Sequence, residues 1–243
     1  MLIMPESTHQ SAASACFNCR LKKLCLPIAL EASNVKYLDE IVEKYTYTKG
    51  EHLYRQNCNF HSVYAVRSGS FKSYAINYNG KARINGFFFP GEIIGLDGIA
   101  NGVHANSVRA LEHASICEIP FSQLKDLSLK LPNLQNHFFS LMGKEITEGQ
   151  EIHGLLSHHS AEERAVHFLL SLSAQLERAS LSPSRILLPM TRADIGEYLG
   201  LTLETVSRIL TQLQNKGLIS VNNREVTLLE MESLREIIGC SEK

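Results

Sequence analysis

Four of the six cysteines in this 243-residue chain are spaced for chemistry. Cys16-x2-Cys19-x5-Cys25 forms a close set, and Cys117 lies far downstream. Four thiolates can complete a tetrahedral zinc site or hold an iron–sulfur cluster. Structural zinc favours two paired C-x2-C knuckles, whereas three clustered cysteines with one remote partner fit a cluster better; spacing alone leaves both open. Cys58, in a polar loop, and Cys240, near the C-terminus, read as ordinary free thiols. The ten histidines show no metal-ligand spacing, and His158-His159 falls at a helix boundary.

A second kind of chemistry, the reading of DNA, is written over residues 191–216. Thr191 stands where an N-cap belongs, with Asp194 three residues on, and Ile195, Tyr198 and Leu199 supply an inner face. Gly200 sits where a tight interhelix turn needs positive φ, and Thr202 caps a second helix. Thr205 and Val206 fall in its first turns; Ile209, Leu210 and Leu213 line its apolar stripe. Such a pair presents its second helix to a major groove. Glu204, Ser207 and Arg208 occupy the opposite, N-terminal half: Arg suits guanine O6 and N7, Glu suits cytosine N4, and Ser adapts. Residues 218–221 and 224–228, joined by Asn222-Asn223, predict a wing with Arg224 available to phosphates. The bland reading is a helical hairpin with no nucleic acid. Net charge is −1, and the basic residues Arg192, Arg208, Lys216 and Arg224 are matched by Asp194, Glu197, Glu204 and Glu225. DNA binding must therefore rest on local donors and not on a broad basic field.

The elements that must position these residues follow from pattern. Residues 1–15 lack apolar periodicity and read as a mobile tail. Val35, Leu38, Ile41 and Val42 predict a short amphipathic helix. From 45 to 120 short runs rich in aromatic and β-branched residues (62–67, 71–77, 83–89, 106–111, 115–119) alternate with turn signals, which predicts an antiparallel roll or barrel. Asn79-Gly80 is a hairpin-tip signal. Leu134, Phe138, Leu141, Glu145, Gly149, Ile152 and Leu156 then approximate a heptad seam, flanked by Phe139, Met142, Ile146 and Leu155. A seam this long points to a partner helix in a homodimer; the alternative is a core helix within the monomer. Glu145 and Gly149 interrupt the seam, with Glu148 and Glu151 nearby, so the dimer contact should be weak and tunable. A further helix is predicted over 161–178, and a break around Pro183. The organisation is then 1–30 tail and cysteine segment, 31–130 sensor roll, 131–159 dimerisation helix, 160–184 second helix and linker, and 185–243 winged helix, an α+β fold.

No apolar run approaches the roughly 20 residues needed to span a bilayer. No export signal is evident either. The expectation is a soluble, cytoplasmic protein in a reducing compartment, where spaced thiols serve as ligands and not as disulfides. No nucleophile–base pair, phosphate-cradling glycine loop or paired carboxylate stands out, so no enzyme is expected. An iron–sulfur electron carrier has no need of the DNA-reading segment.

In combination these features resemble the FNR-type regulators of the CRP/FNR transcription-factor superfamily. The motifs are C-x2-C-x5-C with Cys117, YAVRSGSFKSY over 64–74, CEIPF over 117–121, AEER over 161–164 and MTRADIGEYLGLTLETVSR over 190–208. The resemblance implies an N-terminal antiparallel β-roll like that of cyclic-nucleotide-binding domains, a long dimerisation helix and a C-terminal winged helix-turn-helix. It implies one oxygen-labile [4Fe–4S] cluster per monomer on Cys16, Cys19, Cys25 and Cys117, with the homodimer formed when the cluster is bound. It implies reading of palindromic TTGAT-type half-sites by Glu204, Ser207 and Arg208, and Thr191, Arg192, Thr202, Thr205 and Arg224 are expected to join them at the DNA. Regions around 78–82 and Ser115 resemble contacts for RNA polymerase. Basic Arg20, with Lys22 and Lys23, is expected to offset cluster charge, and Leu24 and Phe17 to shield it. Cyclic-nucleotide sensing is disfavoured: Gly91-Glu92 is present, but 104–106 offers no arginine for a cyclic phosphate, and Arg109 lies deeper in the strand. A zinc-stabilised, redox-blind regulator is the competing reading.

Overall fold

A computed structural model describes residues 16–239. The expected tail over 1–15 and the expected free thiol at Cys240 lie outside the described residues. The chain forms two compact units, Met1–Glu145 and Ile146–Lys243, and the division falls within the long helix.

The first unit follows α1 (Val35–Asp39) with eight short strands: β1 (Glu43–Tyr47), β2 (His52–Tyr54), β3 (Ser62–Ser68), β4 (Phe71–Ile76), β5 (Ala82–Phe88), β6 (Ile93–Ile94), β7 (Ser107–Ala110) and β8 (Ala114–Pro120). They pair antiparallel into two four-stranded sheets, ordered β1-β8-β3-β6 and β2-β7-β4-β5. Side chains alternate across each strand, so Phe71, Val108, Ala110, Ile116 and Val66 form one core cluster. On the other face of β3 and β8, Val63, Ala65 and Ile119 join Leu26, Leu38, Leu124 and Leu134 in a second. That second cluster is the floor beneath the cysteine segment. β1 and β2 escape the sequence pattern because their residues are partly exposed and polar or charged ones interrupt the apolar pattern, and β6 because it is only two residues long. At the predicted hairpin tip only Gly80 takes positive φ. The loop is longer than two residues, and the Asn77 carboxamide oxygen pins it by accepting from the backbone N–H groups of Asn79 and Lys81, each at 3.0 Å.

α2 (Phe121–Lys130) leads into α3 (Pro132–His158), the predicted long helix. The seam divides, and this corrects one expectation. Phe138, assigned to the dimer face by its spacing, is buried in the sensor core with Leu134, its ring 6.2 Å from that of Phe121. The first turns of α3 are needed to close that core, which also takes up part of Leu141 and Met142. Phe139, Glu145, Ile146 and Gly149 remain exposed, and Ile152 is half-buried.

The second unit contains α4 (Ala161–Arg178), β9 (Arg185–Leu187), α5 (Arg192–Leu199), α6 (Leu203–Asn215), β10 (Ile219–Asn222), β11 (Glu225–Leu228) and α7 (Met231–Ile237). α4 begins with a full capping box between Ser160 and Glu163. The wing is a three-stranded sheet, β10-β11-β9, so the hairpin read from sequence gains a strand from the segment after the linker. Its two-residue turn uses Asn223 at φ 54°, a left-handed value that asparagine tolerates.

Candidate thiol centre and DNA-reading element

The thiol centre is built by consecutive turns over a strand. Cys19 N–H donates to the Cys16 carbonyl, Lys22 N–H to that of Cys19, and Cys25 N–H to that of Leu21, at 3.1–3.2 Å. These turns curl the segment so that its three cysteines share one side. The Cys16 N–H donates to the Asp39 carboxylate at 2.6 Å, tying the segment to the end of α1. Pro27 then starts a short 3-10 turn, Leu26–Ala29, whose Leu26 is fully buried. Cys117 lies opposite Lys44 and Ala65 in the sheet, on the face that carries Ile119. Cys16, Cys19, Cys25 and Cys117 thus line one cavity, walled by Leu26, Leu38, Ala65 and Ile119.

At Cys16, Cys25 and Cys117 burial dominates the electrostatics. Burial raises the Cys16 thiol well above the ordinary range, helped by its hydrogen bond to Asp39 and that carboxylate's charge. Burial likewise pushes Cys25 up to about 12, against a hydrogen bond at Leu26 that favours the thiolate. Cys117 is raised by burial and by Cys19, while Arg67 and Lys44 pull it down. Each of these thiols feels another across the cavity, so the group responds as a set. Metal binding to such thiols must release protons.

Four thiols around one apolar cavity are a donor set that fits a zinc ion or an iron–sulfur cluster. Among the described residues no three His, Cys, Asp or Glu side chains are disposed to hold one metal ion. A single zinc needs each sulfur about 2.3 Å from one centre. An iron–sulfur cluster would take the same four ligands as a larger body.

The expected tuning residues divide between the cavity wall and its surroundings. Arg20 is exposed and outside the cavity lining, and Leu24 packs against Gly91, where an added Cβ would stand 2.8 Å from Leu24 Cβ. Phe17 is half exposed, with the Lys22 ammonium 5.6 Å from its ring centroid. Lys22, one of the expected basic neighbours, lines the cavity, as do Leu21 and Arg67. Arg67 comes from β3, and no local signal near the cysteines points to it.

In the second unit the helix pair is capped as predicted. Thr191 Oγ1 accepts from Asp194 N–H at 3.1 Å, and the Asp194 carboxylate accepts from Thr191 N–H at 2.9 Å. The same hydroxyl donates to Asp194 at 2.7 Å, so Thr191 is committed to the cap. Gly200 is left-handed at φ 66°. Gly196 is a second requirement, not singled out in the sequence: a Cβ there would stand 2.7 Å from the Leu201 carbonyl oxygen. Thr202 Oγ1 accepts from Thr205 N–H at 3.2 Å and lies 3.1 Å from Thr205 Oγ1. Val206, Ile209, Leu210 and Leu213 are buried, which leaves Glu204 and Arg208 exposed and Ser207 partly so. The Glu204 carboxyl is held below its usual range by a backbone N–H and the Thr202 hydroxyl at the helix start, which keeps it an ionised acceptor. Gln214 on α6 accepts from Val221 N–H at 2.9 Å, and an Arg185–Glu225 ion pair at 2.6 Å ties β9 to β11. Arg192 is partly exposed in the first turn of α5, and Arg224 is exposed at the wing tip.

Comparison with known proteins matches a cyclic nucleotide-binding domain over residues 44–130 and a Crp-like helix-turn-helix domain over 163–237. The transcriptional activator protein Anr of Pseudomonas aeruginosa is 43% identical over 225 residues, 92% of each chain. The fumarate and nitrate reduction regulatory protein of Escherichia coli K12 is 40% identical over 225 residues, 92% of this chain and 90% of its own. The chain belongs to the CRP/FNR family of transcriptional regulators. FixK2 from Bradyrhizobium japonicum has the same fold, with TM-score 0.76 and 28% identity over 83% of this chain and all of its own. As a CRP/FNR regulator the protein carries a Crp-like helix-turn-helix DNA-binding element. No helix among its described residues is long and apolar enough to cross a membrane.

In this CRP/FNR regulator the interior of the roll is not set up for an anion. Glu92 accepts from Phe89 N–H at 2.9 Å, and Arg109 is 5.9 Å from the Tyr74 ring centroid, opposite His52 and Lys72 in the sheet. A cavity of about 70 Å³ is lined by Tyr54, Ser73, Asn85, Asp97, Asn106 and Glu145, including two acids and no cation. Beside it, buried His104 stacks on Tyr54, centroids 3.6 Å apart, and its Nδ1 donates to Asp97 at 3.2 Å. The sequence reading missed this Asp97 network, because its members are scattered over 54–106 and follow no spacing rule.

Proposed function

We propose that this chain is an oxygen-responsive, DNA-binding transcriptional regulator of anaerobic conditions. In this reading Cys16, Cys19, Cys25 and Cys117 hold one [4Fe–4S] cluster per monomer, and its occupancy governs dimerisation and promoter binding. The supporting observation is the convergence of those four thiols on one cavity in a chain whose other unit is a Crp-like helix-turn-helix. When bound, the cluster supplies oxygen-labile iron–sulfur bonding, chemistry that no side chain of the protein offers. The protein's own residues set its surroundings. The turns at 16–25 fix the three clustered ligands, Lys22 and Arg67 place positive charge at the cavity wall, and Leu26, Leu38 and Ile119 exclude water.

The exposed stretch of α3, with Phe139, Ile146 and Gly149, is the surface proposed for the partner helix; Met142, Leu141, Glu145 and Ile152 border it. Glu204, Ser207 and Arg208 are proposed to read palindromic TTGAT-type half-sites, with Arg192, Thr202, Thr205 and Arg224 placed for phosphates. The loop around Tyr78, fully exposed, and Ser115, whose hydroxyl pairs with Ser68 at 2.6 Å, are proposed to contact RNA polymerase.

Anaerobic purification tests the reading. Visible thiolate-to-iron absorption with stoichiometric iron and acid-labile sulfide, together with DNA binding that is lost in air, is the expected outcome. A colourless protein with stoichiometric zinc and air-insensitive DNA binding would sink it.

A further inference from the structure

The first turn of α4 touches the C-terminal end of every helix that leads to the reading surface. Arg164 Nε donates to the His159 carbonyl at 2.9 Å, just past the end of α3, and its Nη1 donates to the Leu199 carbonyl, at the end of α5, at 3.2 Å. Both carbonyls belong to the class left without intrahelical partners at a helix end, and both lie at the negative pole of a helix dipole. One cation therefore serves two helix ends together. Two residues away, Glu162 accepts from Lys216, the C-cap residue of α6, at 2.6 Å. The interhelix turn rests on the same ground: a Cβ on Gly200 would lie 3.6 Å from both Arg164 Nη1 and Leu156 Cδ2 of α3.

We propose that Arg164 is the positioning residue that couples the end of α3 to the DNA-reading turn. Its planar guanidinium carries donors in a fixed fork, so holding the His159 and Leu199 carbonyls at once sets the distance between them. A change in the course of α3 at His159 is passed to Leu199, and from there through Gly200 to the start of α6. Lysine has the charge and lacks the fixed fork. Coupling between two binding events is reciprocal, so DNA held by α6 must in turn bias whatever state α3 adopts in the dimer. The inference rests on the proposed function, in which α3 pairs and α6 reads DNA.

The experiment uses the anaerobic, cluster-loaded full chain and a duplex carrying a single TTGAT half-site. The dimer dissociation constant is measured by sedimentation with and without saturating duplex, and a scrambled duplex serves as control. In the parent protein the specific duplex tightens the dimer by at least about fivefold. In Arg164→Ala and Arg164→Lys the shift falls below about twofold, while circular dichroism and the thermal transition of the second unit are retained. If Arg164→Ala does not fold, Arg164→Lys alone decides. A shift retained in the folded variants overturns the proposal, as does a parent protein that prefers the specific duplex yet shows no dimer shift. A parent protein that does not distinguish the specific from the scrambled duplex instead overturns the DNA-reading function itself, and the coupling falls with it.

Discussion

Leu24 lies directly over Gly91, close enough that a Cβ on the glycine would stand 2.8 Å from Leu24 Cβ. The contact ties the cysteine segment to the turn after β5, at a glycine whose φ of +97° already resists a side chain. Gly91→Ala is therefore expected to displace Leu24 and loosen the ligand segment while the sheets stay intact. Faster loss of visible absorption on exposure to air, at least severalfold, with an unchanged far-ultraviolet spectrum is the expected result. An unchanged rate would show that the contact does not steady the ligands.

Arg67 and Lys22 line the thiol cavity, whereas Arg20 does not. Positive neighbours of a negatively charged cluster stabilise its more reduced form. Arg67→Gln should lower the cluster's reduction potential and change its rate of loss in air more than Arg20→Ser does. Anaerobic redox titration of the two variants side by side gives the comparison; an equal effect from both would contradict the assignment.

Arg208 projects from the exposed face of α6, and Arg224 from the wing. Removing a base-reading arginine costs about 1–3 kcal/mol of discrimination, whereas removing a phosphate contact lowers the salt slope by about one ion. Arg208→Ala is expected to relax preference for the specific site by that amount, and Arg224→Ala to weaken binding evenly across sequences. Binding isotherms over a salt series separate the two effects.

Asp97 supplies a pH dependence. Burial alone would raise its carboxyl, but the hydrogen bond and charge of His104, the Asn106 N–H and the Tyr54 hydroxyl outweigh it and hold the group below its usual range. A carboxyl depressed in the folded state contributes stability that is present above its unfolded pKa and lost as pH falls through the folded one. The first unit should therefore weaken steadily with acid below about pH 4. Asp97→Asn should lose about 1–3 kcal/mol at neutral pH and show a shallower acid slope in urea melts followed at several pH values.

Gly196 is packed against the turn it precedes. Its missing Cβ leaves 2.7 Å to the Leu201 carbonyl oxygen, a backbone atom that cannot swing aside. Gly196→Ala should push α6 off α5 and abolish specific DNA binding. Thermal melts and gel-shift assays on the same sample would show whether reading is lost before folding is.

Several features of the protein are local, and these are legible in the sequence. The caps at Thr191 and Thr202, the left-handed Gly200 and the apolar stripe of α6 depend on neighbours three or four residues apart, so periodicity and side-chain chemistry reveal them. The five strand patterns between 62 and 119 and the α4 helix are visible for the same reason. The cysteine spacing marks a ligand set and stops there, because chain spacing does not say whether Cys117 returns to Cys16. That return is decided by pairing β8 between β1 and β3, a long-range register that turns Cys117 toward the N-terminal segment. Tertiary packing also took Phe138 from the heptad seam into the sensor core and brought Arg67 to the thiol cavity beside Lys22. It gathered Asp97, His104 and Tyr54 from separate strands and loops as well. A periodic pattern records which face of an element is apolar; only the assembled neighbours determine what that face is buried against.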